Sequence, residues 1–235
     1  ISDVRRNERY YRGEQPLTYA SAEWRAFNER RFTDFSDNWC QVVGSSPAER
    51  IRLTGLRVGT DTEIESEDER RLMAVWHENE LDAQSSQGFL HTIVAARSFV
   101  IVDPTGPTVS WERADQVLVD YDESSKRATS ALKIWHDKET EYATVYTADE
   151  IWKFQRPFMQ DATKGENIAY DDNFRSASDF RAGTAAPFTR EGGWIRRADA
   201  VDWPATNPLG ALPVVEIPNR PTLGGEPLSL GRSRR

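Results

Sequence analysis

The sequence predicts an α+β fold in which helices near 70 to 97 pack on a mainly antiparallel sheet built from 99 to 156 and 211 to 217. Two observations carry this. Near residue 98 the apolar spacing changes from every third or fourth position to every second, which marks a passage from helix to strand. Beyond it, short apolar runs alternate with gaps of Asp, Ser, Lys and Thr, the pattern of an antiparallel meander. A third observation closes the sheet. The stretch NPLGALPVVEIPNR, residues 207 to 220, sets a β-forming run between two proline-stiffened corners.

Taken in order, residues 1 to 35 read as a short helix, a turn at Gly13 to Pro16 and an irregular helical piece. Asp34 to Val43 has Phe35, Trp39 and Val42-Val43 at helical spacing. Gly44-Ser45-Ser46-Pro47 is expected to break that helix, with Ser46 and Glu49 placed as a capping box for another turn. RIRLTGLRV, residues 50 to 58, alternates charge with apolar side chains like a half-buried strand bent at Gly55. After an acidic loop, Asp61 to Glu69, come two helices. The first aligns Leu72, Val75, Trp76 and Asn79; the second, about Asp82 to Ser98, has Phe89, Leu90, Ile93 and Val94 as its stripe.

The strands follow as Phe99 to Val102, then PTVSWER, QVLVDYD, ATSALKIWHD, EYATVYT and EIWKFQR, with a hairpin turn at Thr147 to Glu150. Residues 160 to 193 lose periodicity and read as a long loop. In the closing stretch, Gly210 is free to take a positive φ and Pro218 cannot donate to a ladder, so the strand stops or lies on an edge. Val214, Val215 and Ile217 are its β-formers, with Glu216 facing outward. The organisation is therefore 1–58, an N-terminal helical segment and first strand; 59–225, the α+β region; and 226–235, a tail.

The 235 residues are 38% hydrophobic, 29% charged and 11% aromatic, enough for one ample core or two small ones. Net charge is −8 with a pI near 5.1, the reverse of the balance that grips phosphate. Cys40 is alone, which excludes an internal disulfide and suits a reducing compartment. No run spans a bilayer and no signal-peptide pattern opens the chain, so a soluble, intracellularly made protein without membrane contact is expected.

Motifs for chemistry are incomplete. His77-Glu78 begins like a zinc-protease helix, but the second histidine's position holds Leu81. With three histidines and one cysteine, no catalytic metal is expected. Asp120 and Asp122 could bind a hard cation, although a solvated strand end is the better explanation. Gly44-Ser45-Ser46 is not a nucleophile elbow, and neither Gly165 nor Gly192 begins a P-loop. Glu78 and Glu80 point to different faces of a helix and cannot work as an acid/base pair. Arg30-Arg31, Arg70-Arg71, Arg196-Arg197 and Arg234-Arg235 form no contiguous stripe and read as solvated or salt-bridged faces. No catalytic, cofactor or metal residue is assigned. A rival reading is a glycan- or partner-binding β domain using exposed tryptophans such as Trp194 or Trp203, or a hydrolase with an unrecognised pocket.

Taken together, the motifs resemble the portal proteins of tailed double-stranded DNA bacteriophages, especially those infecting actinobacteria. YYRGEQPL, residues 10 to 17, is similar to that family's Tyr-Tyr-x-Gly opening. ERIRLTGLRV, 49 to 58, resembles its Arg-Leu-x-Val-x-Gly-Phe segment, with Leu56 where phenylalanine is commoner. VWHENELDAQSSQGFLHTIVAARSFVIV, 75 to 102, matches its Trp-x-x-Asn-x-Leu-Asp helix pair, with Ala95-Ala96 where many relatives have glycine. YDES, VYTADEIWKF and the Asn207 to Arg220 stretch complete an ordered match over about 10 to 225.

The resemblance implies the wing region of a portal subunit and a homo-oligomeric ring, usually a dodecamer, at one capsid vertex of the virion. DNA is packaged and ejected through such a ring. Its partners would be the major capsid protein, the terminase large subunit and head-completion or tail adaptor proteins, with assembly in the host cytoplasm. No enzyme activity and no cofactor are implied. The family continues past the Asn-Arg motif into stem and clip regions that this chain lacks, so no DNA-contact residue is named. Residues 160 to 193 and the tail from 221, poor in apolar periodicity, are expected to gain order from a neighbouring subunit.

Overall fold

The computed structural model describes residues 2–14, 23, 38–58, 66–104, 108–158 and 194–220. The loop expected at 160–193 and the tail from 221 lie outside them. The chain is α+β and divides into two compact units, Ile1–Ser98 with Glu216–Arg235, and Phe99–Val215.

Among the described residues the first unit holds four helices: α1 (Ser2–Tyr11), α2 (Trp39–Ala48), α3 (Glu67–Glu78) and α4 (Leu81–Ala95). The other three all pack on α4. Its inner face is Leu81, Ser85, Gly88, Thr92 and Ala95, a row of mostly small residues three or four apart. The expected stripe of Phe89, Leu90 and Ile93 is only half-buried; of that set Val94 alone is inside. Small side chains on the inner face let neighbouring helices approach closely. The polar ones are satisfied locally: Thr92 Oγ1 donates to the Gly88 carbonyl and meets Ser98 Oγ. Asn7 of α1, also buried, donates its amide to the Val94 carbonyl at 3.2 Å.

Three expectations here are corrected. Gly44-Ser45-Ser46-Pro47 does not break a helix; α2 begins at the Asn38 cap and runs through it to Ala48. Pro47 falls in the last turn, where it removes one ladder bond, and Gly44 and Ala48 supply the helix's buried positions. Trp39, Val42 and Val43, the expected inner positions, face outward instead, with Trp39 66% exposed. The strand expected at 50–58 is not formed; the segment leaves α2 without entering a ladder. Finally, α3 starts inside the expected acidic loop. Ser66 and Glu69 form a reciprocal capping box, and Glu69 also accepts from Val58 N at 3.1 Å. Leu72, expected on the inner face of α3, is exposed.

Two sheets, not one, follow. β1 (Arg97–Asp103), β2 (Thr108–Glu112) and β9 (Val214–Pro218) form a three-stranded sheet ordered β2-β1-β9. β3 (Val117–Tyr121), β4 (Ala128–His136), β5 (Thr140–Tyr146), β6 (Glu150–Pro157) and β7 (Ile195–Arg196) run in sequence order, with β8 (Ala205–Thr206) also on β6. The antiparallel meander β3-β4-β5-β6 and the Thr147–Glu150 turn are as expected. β9 is antiparallel to β1, since Val102 N donates to Pro213 O and Asn219 N to Ala96 O. Its phase differs from expectation: Val215 is the outward residue, and Glu216 lies half-buried in an ion pair with Arg97 at 3.0 Å.

Within the second unit both faces of the meander are buried. Ala131, Tyr146 and Ile151 join Phe99, Ile101, Val117 and Val214 on one side. Leu132, Ile134, Ala143, Val145 and Phe154 join Trp194 on the other. Neighbouring residues of one strand thus point into different cores, as the period of two requires.

At the junction of α4 and β1, Ala96 has φ 79° and is buried. A Cβ in this left-handed region costs about 1 kcal/mol. Ala96→Gly relieves that strain while adding freedom to the unfolded chain. The expected result is a net stabilisation of up to about 1 kcal/mol, read as a raised urea midpoint at unchanged slope.

Candidate interaction surfaces

Each chemical candidate from the sequence has a structural position. His77 is exposed, with Nδ1 3.5 Å from Asp82, and Trp76 Nε1 donates to the same carboxylate at 2.9 Å. His91 faces Glu8 at 3.6 Å. His136 stacks on Phe158 with ring centres 4.1 Å apart. Cys40 is exposed on α2. Among the described residues no three His, Cys, Asp or Glu side chains gather where a metal ion could be held. No helix of the described residues is long and apolar enough to cross a membrane.

Asp120 and Asp122 do not converge. Asp120 lies in β3 opposite Ser130, whereas Asp122 closes the β3–β4 turn. Asp122 Oδ1 accepts from Ser124 N, Ser124 Oγ and Ser125 N at 3.1, 2.8 and 2.7 Å. Those bonds, the Ser125 amide foremost, stabilise the anion and lower its pKa to about 2. Asp137 repeats the device in the next turn, accepting from Glu139 N, Thr140 N and the Tyr142 hydroxyl, and its pKa is also lowered. Ser45 Oγ lies 2.9 Å from the Tyr11 hydroxyl, a contact between α1 and α2. Glu78 ends α3 and Glu80 follows in a left-handed conformation, so they share no face.

The arginine doublets within the described residues serve the fold. Arg70 and Arg71 pair with Glu67 one turn earlier on α3, exposed links of about 0.3–0.5 kcal/mol each. Arg196 donates to the carbonyls of Ala200 and Val201, and Arg197 pairs with Asp199. Arg30-Arg31, Arg234-Arg235, Gly165 and Gly192 lie outside the described residues.

The tryptophans named for a binding module belong to a core. Trp194 is buried, with the Arg156 guanidinium 4.4 Å over its ring. Trp203 meets Trp152 and Phe154 edge-on at 4.9 and 5.5 Å and donates its indole N–H to Lys153 O. Such edge-on pairs contribute about 0.5–1.5 kcal/mol each beyond the area they bury. Arg156 also holds the buried Glu141 carboxylate, which is 2% exposed. A lone buried charge there would cost several kcal/mol, so this pair fixes β5 to β6.

In the 207–220 stretch the conserved-looking chemistry is structural too. Asn207 is 4% exposed and uses its whole amide. Nδ2 donates to the carbonyls of Thr147 and Ala211 at 2.8 Å each, and Oδ1 accepts from Leu209 N at 3.0 Å. Its backbone N–H donates to Asp149 O at 2.8 Å. One side chain therefore ties the β5–β6 turn to the corner that launches β9. The sequence marks the turn at Asn207-Pro208, but nothing local reveals the partner 60 residues earlier.

Among the described residues a group of apolar side chains is exposed. On α2, Trp39, Val42 and Val43 are exposed, and Ile51, Leu53 and Val58 continue the exposure beyond it.

No protein-family model matches the chain. It is similar to a portal protein of Mycobacterium phage D29, with 26% identity over 194 residues that cover 76% of this chain and 31% of that protein. The chain thus spans about a third of the relative's length. The likeness is to a portal protein, in keeping with the portal resemblance of the sequence motifs.

Two outcomes are expected. Asn207→Ala leaves the Thr147, Ala211 and Leu209 groups without their partner and lowers stability by about 2–4 kcal/mol in denaturant unfolding. For Asp122, a depressed folded pKa means stabilisation present above the unfolded value near 3.8 and lost as pH falls through about 2. A carboxyl NMR titration should give a midpoint near 2, and the stability gap between wild type and Asp122→Asn should close across that window.

Proposed function

We propose that this chain is the wing-like portion of a phage portal subunit and builds a ring of identical copies at a capsid vertex, through which DNA is packaged and ejected. The observation that carries the reading is the likeness to the phage D29 portal protein over 194 residues. The surface chemistry supports a structural rather than an enzymatic role. Ser45, Asp122, Asp137 and His91 are engaged in turns and interhelical contacts.

A net charge of −8 suits a conduit. A surface that releases many counterions on contact with DNA would hold it in place rather than let it slide. On this reading the terminase, the major capsid protein and the head-completion or tail adaptor proteins are the partners, and the virion is the location. The ring is usually twelvefold in the family that the chain resembles. It needs two different complementary faces per copy, because a head-to-tail contact closes only when its rotation does.

Negative-stain imaging of the purified chain across a concentration series tests this. Closed rings with a central hole are expected. Particles that stay monomeric, with no ring at any concentration, would overturn the reading.

A further inference from the structure

A head-to-tail ring requires one surface that inserts and another that receives, and the chain carries a matching pair. The inserting candidate is the segment after α2. From Arg52 to Leu56 the backbone makes no hydrogen bond to any described residue, although the side chains alternate as in a strand. Its flanks are held: Ile51 N donates to Ala48 O, and Val58 N to Glu69 Oε1. Leu53 is 47% exposed. Gly55 is neither in the left-handed region nor crowded, since a Cβ added there would meet nothing within 4 Å. Among the described residues nothing requires a glycine at 55. A second backbone approaching closely would. Residues 50–58 contain three arginines and no acid.

The receiving candidate is β3. Among the described residues it pairs only with β4, and no described strand lies on its other edge. Residues 114–123 contain four acids and no base; Asp115 is paired with Arg113, which leaves Asp120, Asp122 and Glu123, and Leu118 is 37% exposed. An acidic edge repels a like-charged strand, the usual protection against indiscriminate pairing, and accepts a basic one.

We propose that residues 52–56 of one copy add a strand to the edge of β3 opposite β4 in a second copy of this chain. The pairing is antiparallel, with Arg52 opposite Asp120, Arg50 opposite Asp122 and Thr54 opposite Leu118. An antiparallel register sets two charged pairs at once, whereas a parallel one through Arg52 and Asp120 sets one. The added strand of five residues, ~17 Å long, equals the five-residue β3. Main-chain bonds supply the grip, and the charged pairs set register and partner. This contact rests on the ring reading and names its two faces.

The test uses the 235-residue chain with Cys40→Ser as background. One preparation carries Thr54→Cys and another Leu118→Cys; they are mixed and oxidised. A covalent dimer from the mixture, absent from either preparation alone, is the expected result. In parallel, Arg52→Asp and Asp120→Arg should each weaken association about tenfold or more in mass photometry. The double variant should recover it, with circular dichroism of the dilute monomers unchanged throughout. Rings without the mixed cross-link, or charge reversals that leave ring yield unchanged, overturn this contact and leave the ring reading standing. A wild-type chain that never associates overturns both.

Discussion

Burial of both faces of the β3–β6 meander constrains most of the second unit. A strand covered on one side can be polar on the other. Here Ala131 and Leu132, or Val145 and Tyr146, are neighbours committed to different cores. Buried charges in those strands are then costly unless paired. Glu141 therefore sits with Arg156, and Lys133 with Glu112. Burial also pushes the Tyr146 hydroxyl pKa above its ordinary value. With both faces used, the sheet can grow only at an edge, and no described strand lies beyond β3.

The helical unit follows a different rule. Its hub, α4, presents serine, glycine, threonine and alanine inward, so close approach replaces bulk as the source of packing. That choice leaves large side chains elsewhere. Trp39, Val42, Val43 and Leu72 face outward. Such residues cost little singly, but their grouping on α2 and beyond is the kind of surface a partner covers.

A portal reading joins these features without requiring chemistry at any residue. Turns are fixed by aspartates with strongly stabilised anions, the β9 corner by one buried asparagine, and the two sheets by an unbroken apolar core.

Much of the fold was legible in the sequence because its signals are local. Alternation marks β3 to β6, Thr147 and Glu150 mark their turn, and Pro213 and Pro218 bracket β9. The rest depended on distant partners. Local propensity reads Gly44-Ser45-Ser46-Pro47 as a break, but the packing of α1 and α4 against α2 carries the helix through it. Apolar spacing reads Phe89, Leu90 and Ile93 as the inner face, but close helix approach selects the small residues instead. RIRLTGLRV has the pattern of a strand but joins no sheet among the described residues, because alternation records what a segment can pair with and not whether a partner strand is there. The sequence by itself determined which segments favour helix, strand and turn, since these follow from each residue's own backbone and neighbours. Only the tertiary structure decided which faces are buried, how many sheets form and what Asn207 holds, since each depends on groups tens of residues apart.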